Sequence, residues 1–122
     1  MPRQFAAIAT CAVLCAGATA AATGEGFASV TDRSDFLSLV QNRELTRMGI
    51  TLDVRPDGTI AGRAFGREVT GAWSWQDGFF CRDLAWGNRT FPHNCQKVER
   101  AGSDLRFTSD RGSGQSATLS LR

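Results

Sequence analysis

From Gly49 to its end the chain alternates apolar and polar residues in short runs. Ile50, Leu52 and Val54 are apolar, and Thr51, Asp53 and Arg55 between and after them are polar. A period of two places one set on each face of a strand, so such a run can bury only one side. The alternation is broken at short intervals by turn chemistry: Pro56-Asp57-Gly58, Gly66-Arg67, Asp77-Gly78, Ala101-Gly102-Ser103-Asp104 and Asp110-Arg111-Gly112-Ser113-Gly114. Asp-Gly between two apolar runs is a strong hairpin signal, because both residues of the tightest hairpin turn need positive φ. Strands are expected over Gly49–Arg55, Thr59–Phe65, Glu68–Gln76, Phe79–Trp86, Cys95–Arg100, Leu105–Ser109 and a last run through Ala117, Leu119 and Leu121, with Gly87–Asn94 as a loop.

About seven short strands joined by tight turns predict a mostly β fold, an antiparallel meander that curls into a bent sheet or a small barrel. Gly62, Gly66, Gly71 and Gly78 suit strong bending, since glycine in a strand marks a corner or a close approach. One short N-terminal helix precedes the strands. Asp32 or Ser34 can cap it, and Phe36, Leu37 and Val40 fall on one face. Leu45–Met48 then links to the first strand.

The first residues read as an export signal. Met1-Pro2-Arg3-Gln4 carries one positive charge, Phe5–Ala16 is apolar apart from Thr10, and Ala18-Thr19-Ala20 and Ala20-Ala21-Ala22 are A-x-A cleavage sites. The apolar stretch is shorter than the roughly 20 residues a bilayer span needs, so no retained membrane span is expected. The organisation is then a signal peptide over 1–20, a flexible leader over 21–30 and one β domain over 31–122, in a periplasmic or secreted protein. Loss of Arg3 leaves 13 basic residues facing 12 acidic ones. That near-neutral balance, with charges that alternate, argues against a nucleic-acid partner.

Of four cysteines, Cys11 and Cys15 leave with the signal and Cys81 and Cys95 remain. An even pair in a small exported domain reads as a disulfide. A zinc site wants four ligands, and His93 is the one histidine, so no metal is expected. The densest aromatic group is Trp73, Trp75, Phe79, Phe80 and Trp86. Trp73 and Trp75 share a strand face and belong to the core, but if a ligand site exists it is expected there. Its candidate residues are Trp73, Trp75, Phe79, Arg82 and Trp86. Arg82 and Asp83 interrupt an apolar run, and an inward charge would orient a polar ligand. No catalytic constellation and no cofactor motif emerges. The expected partner is a small apolar ligand or an envelope protein, bound by a monomer.

The run Phe65-Gly66-Arg67-Glu68-Val69-Thr70-Gly71-Ala72-Trp73-Ser74-Trp75-Gln76-Asp77-Gly78-Phe79-Phe80-Cys81-Arg82, extended by Cys95–Val98 and Leu105–Gly112, resembles small exported alphaproteobacterial proteins of unknown function. The resemblance covers about Phe27 to Arg122. Some of those proteins carry the name dihydrodipicolinate reductase, which implies a nicotinamide-dependent enzyme. The residues themselves hold no glycine-rich strand-to-helix turn of the dinucleotide type. The leading expectation is therefore a non-catalytic binding or interaction domain. The alternatives are an enzyme, either that reductase or a hydrolase using His93, and an inhibitor of envelope enzymes presenting the Gly87–Asn94 loop.

Overall fold

The computed structural model describes residues 26–122. The signal peptide expected over 1–20 lies outside the described residues. Strand β1 (Ala28–Val30) leads into helix α1 (Arg33–Val40). The strands β2 (Leu45–Arg47), β3 (Ile50–Val54), β4 (Thr59–Ala64), β5 (Arg67–Gln76), β6 (Phe79–Trp86), β7 (Arg89–Ala101), β8 (Asp104–Thr108) and β9 (Ser116–Leu121) follow. From β2 onward each strand pairs antiparallel with the next, and β9 pairs back with β2. The meander thus closes as an eight-stranded barrel. Closure leaves none of the eight as a free sheet edge along its whole length, which is how such folds avoid edge-to-edge aggregation.

The ninth strand, β1, is an addition to the wall. β7 outlasts its neighbour β6, whose pairing ends at Gln96. β1 takes the vacated edge, with Val30 opposite Val98 and Ala28 opposite Arg100. Ala28–Val30, expected as the end of a flexible leader, is therefore ordered by this pairing, and α1 is not the first element. The short composition-poor segment gave no local sign of it, because the partner lies some seventy residues away.

Two further expectations are corrected. Leu45–Arg47, read as a link, is a strand: Leu45 faces Leu52 on one side and Leu121 on the other. The Gly87–Asn94 segment is not a loop. β7 begins at Arg89, and Cys95–Arg100 is only its second half. Pro92 made the first half look irregular. It sits where the β6–β7 register shifts between Arg82↔Asn94 and Leu84↔Phe91, and a bulge is one of the places a strand tolerates proline. The expectation of sharp bending holds. A Cβ on Gly71 would strike the Asp83 carbonyl, and one on Gly62 the Thr51 carbonyl.

α1 closes one end of the barrel. It is only eight residues long, and Asp32 at its N-cap makes no side-chain bond. An isolated helix this short is not stable, so packing holds it. Phe36 is fully buried, with its ring 5.5 Å from Trp73, 5.0 Å from Trp75, 5.1 Å from Phe80 and 6.4 Å from Phe107. Val40 is buried beside it. Replacing Phe36 with Ala should lower unfolding free energy by about 3–5 kcal/mol, the usual loss for a buried Phe. Urea denaturation of the two proteins measures it, and a loss below about 1 kcal/mol would mean the helix does not plug the barrel.

At the same end, the turn after β3 is fixed by Asp57. Its carboxylate accepts from the Thr59 hydroxyl (2.7 Å) and the Thr59 N–H (3.0 Å). These bonds, the hydroxyl first, hold the Asp57 pKa below the ordinary value of 3.8. A carboxyl with a depressed folded pKa stabilises fully above its unfolded pKa and loses that contribution as pH falls through the folded value. The stability gap between wild type and Asp57→Ala should therefore close on acidification below about pH 4, as thermal melts across pH 2–7 would record.

Candidate functional site

Alternation along β6 decides which side chains enter the barrel. Phe80, Arg82, Leu84 and Trp86 share its inner face, opposite Trp75, Trp73, Gly71 and Val69 on β5. Cys81 and Asp83 face outward. The helix end of the lumen is filled by Phe36 and the aromatic rings around it. Beyond that plug the lumen is open. A compartment of about 160 Å³ is bounded by Leu52, Ile60, Phe80, Leu84, Phe107 and Leu119, with Arg82 and Gln96 among its walls. A second compartment of about 290 Å³, bounded by Ile50, Phe65, Val69, Trp86 and Phe91, abuts it at Leu52 and Leu84. An apolar cavity of about 150 Å³ is enough to take a benzene ring, so the inner compartment is ligand-sized on its own.

The five residues expected around a ligand divide between core, surface and lumen. Trp73 and Trp75 line neither compartment. Their rings pack on Phe36, and their indole N–H groups donate to the carbonyls of Arg55 (2.8 Å) and Thr31 (2.9 Å). They anchor the plug, and the cavity is not at their position. Phe79 begins β6 beside the Asp77-Gly78 turn, with the Arg111 guanidinium 5.0 Å from its ring centroid. Arg82 and Trp86 do line the lumen, one in each compartment. The Trp86 indole N–H donates to the Ala64 carbonyl at 2.8 Å, which fixes the ring at the outer mouth.

Arg82 is the charged residue among the walls of the two compartments. It is half-buried, and burial lowers its pKa against the opposing pull of Asp83. The guanidinium stays charged regardless. Nη1 donates to the Pro92 carbonyl at 2.8 Å. A guanidinium has five N–H donors in a planar fork suited to carboxylate, and among the described residues Nε and Nη2 have no partner. Gln96, on the neighbouring strand, lines the same compartment and donates to the Ser109 hydroxyl at 3.3 Å. Sequence reasoning overlooked Gln96, although its alternation with the buried Val98 placed it on the inner face. Leu52 and Leu84 were readable as inward from the same period.

The outer surface of β6 and β7 carries a second cluster. Cys81 and Cys95 are cross-strand partners joined by a disulfide. His93 Nδ1 lies 3.2 Å from Asp83 Oδ1, and its Nε2 lies 3.9 Å from Cys95 Sγ. The pair is open to solvent, with side chains 53% and 64% exposed. His93 thus has the carboxylate neighbour expected of a catalytic base but not the burial. The sulfur it faces has no proton to give while the disulfide stands. Cys81, His93 and Cys95 bring their ligand atoms within 4.8 Å of one another, but zinc binds cysteine as thiolate, and here both sulfurs are bonded to each other.

Replacing both cysteines with serine should cost about 3 kcal/mol, the chain-entropy estimate for a loop of this length. The drop would be seen in guanidinium unfolding of the double variant, and a reductant should reproduce it in the wild type. An equal stability of oxidised and reduced protein would contradict the assignment of the bond as a staple.

No family model matches the chain, and no curated protein or solved structure matches it at a significant level.

Proposed function

We propose that this domain is a non-catalytic carrier or sensor of a small amphiphilic acid. The apolar body of the ligand lies in the lumen and its carboxylate lies against Arg82. The observation that carries the reading is an apolar barrel cavity with the Arg82 guanidinium in its wall, most of whose donors have no partner among the described residues. Binding sites of this kind are mostly apolar, with a few placed polar groups that set orientation. A bound carboxylate would also offset the desolvation that burial imposes on Arg82. The volumes fit a single ring or a medium-length chain that reaches from the inner compartment into the mouth.

Export to the periplasm or beyond belongs to the same proposal. The small-residue cleavage sites after the apolar N-terminal stretch support it, as does a disulfide, which persists in oxidising compartments. No helix among the described residues is long and apolar enough to cross a membrane. An inhibitor presenting Gly87–Asn94 loses its motivation, because that segment is built into β6–β7 pairing.

Titration calorimetry with decanoate and with decanol tests the assignment. The protein should bind both, and decanoate more tightly. Arg82→Gln should weaken decanoate about tenfold or more, the usual worth of a hydrogen bond to a charged group, and leave decanol unchanged. Leu84→Trp should fill the space and abolish both. Decanoate affinity should fall as pH drops below about 5, when the ligand carboxyl takes up a proton, while decanol shows no such fall. Failure of both ligands to bind, or an Arg82→Gln variant that binds decanoate as well as wild type, would refute the proposal.

A further inference from the structure

The end of the barrel away from α1 is built differently from the rest of the surface. Three connections meet there: Met48-Gly49 between β2 and β3, Phe65-Gly66 between β4 and β5, and Gly87-Asn88 between β6 and β7. They are in contact, since the Phe65 N–H donates to the Gly49 carbonyl at 2.8 Å and the Phe65 ring lies 6.3 Å from that of Trp86. Met48 and Phe65 are the large apolar side chains left exposed among the described residues, at 90% and 66%. Both stand on this one rim, around the mouth of the outer compartment.

Phe65 stands out for a second reason. It is the first residue of a two-residue hairpin turn, with φ +51°, followed by Gly66 at φ +82°. A turn with two positive φ values favours Asn, Asp or Gly at that position. A bulky aromatic there is a conformational outlier. The chain holds an aromatic in solvent, at a position where the backbone disfavours it.

Around these two tips lie Arg47, Arg63, Arg67 and Arg89, all exposed. None of the four forms an ion pair among the described residues. Arg67 lies over the Trp86 ring at 5.3 Å and Arg89 over Phe91 at 5.2 Å, which holds both at the rim. Glu68, in register with Arg63, is the carboxylate on the strand ends bearing these arginines. The carboxylates of Asp32, Asp35, Asp57 and Asp77 belong to the opposite end, on α1 and the turns beside it. The mouth is therefore basic and apolar-tipped, whereas the plug end mixes these carboxylates with Arg33, Arg43, Arg55 and Arg122.

We infer that the mouth docks on the surface of an anionic phospholipid bilayer, with Met48 and Phe65 inserted among the headgroups and the four arginines on lipid phosphates. Aromatic side chains settle at the membrane interface, and basic residues near an anionic surface each add to the attraction. Two projecting tips ringed by cations suit a soft, anionic, penetrable surface. A protein interface would call for a broader packed patch, about 800 Å² a side. Docked this way, the lumen opens onto the lipid phase, and an amphiphile can pass between bilayer and barrel without crossing water.

Vesicle co-sedimentation of the exported chain tests the inference apart from ligand carriage, since it needs no lumen ligand. The protein should sediment with vesicles of phosphatidylcholine mixed with phosphatidylglycerol, far less with phosphatidylcholine alone, and less as salt rises. Phe65→Asn combined with Met48→Ser should weaken this about tenfold or more, and so should Arg63→Gln combined with Arg67→Gln. Phe65→Asn suits the turn better than Phe, so its melting temperature should equal or exceed that of wild type, which separates lost docking from lost folding. Decanoate titration in solution should be unaffected by the Arg63→Gln and Arg67→Gln changes. Equal sedimentation with both vesicle types, none with either, or unchanged binding of the Phe65 and Met48 variant would overturn the inference.

Discussion

The barrel depends on Phe36. Eight antiparallel strands make a cylinder with an interior that side chains must fill or a ligand must occupy. Its ends are open unless something covers them. α1 covers one end by placing a single ring among Trp73, Trp75, Phe80 and Phe107. The indole N–H groups of both tryptophans then reach backbone carbonyls at that end, so neither indole donor is left unmet. This asymmetry sets everything functional that follows. With the largest aromatic cluster gathered at the plug, the middle is walled mainly by aliphatic side chains, Phe65, Trp86 and Phe91 stand around the mouth, and space remains between them.

Much of this was legible in the residues. Period-two alternation and Asp-Gly or Pro-Asp-Gly turns located seven of the eight barrel strands in whole or in part, and the same alternation sorted Val54, Leu105, Phe107, Leu119 and Leu121 into the core. The segments that escaped share a physical cause. Ala28–Val30 and Leu45–Arg47 are three residues each, too short to express a period, and both exist because a distant strand offers an edge. Arg89–Asn94 has no alternation because a bulge interrupts it and Pro92 stands inside. In each case long-range pairing overrode weak local preference.

The site was legible only in part, for a different reason. Sequence shows which face a side chain takes but not how far along the barrel axis empty space begins. Trp73, Trp75, Arg82 and Trp86 all point inward. Only the position of Phe36 tells which two are core and which two line the lumen. Phe36 in turn was readable as one residue of a buried helical face, but not as the ring that fills the barrel end. Arg82 was the one ligand candidate whose chemistry already distinguished it, as a charge breaking an apolar run. Its neighbour Asp83 resolves outward onto His93, so the two adjacent charges serve opposite faces of one strand.

That division of β6 by faces ties the fold to its use. The outer face carries the disulfide, which locks β6 to β7 at Cys81 and Cys95. The inner face, one residue further along each way, carries Phe80 and Arg82. The register shift that follows, between Arg82 and Leu84, is what brings the Pro92 carbonyl to the Arg82 guanidinium. An unshifted ladder would have given Pro92 an ordinary cross-strand place, where a residue without an N–H is disfavoured. The covalent staple therefore sits beside the one irregularity in the β6–β7 pairing. It can hold the bulge in register through the thermal opening that such irregular pairing otherwise invites. A positioned charge in an apolar wall needs a rigid strand beneath it, and the disulfide on the reverse face of the same strand supplies that rigidity without occupying any of the lumen.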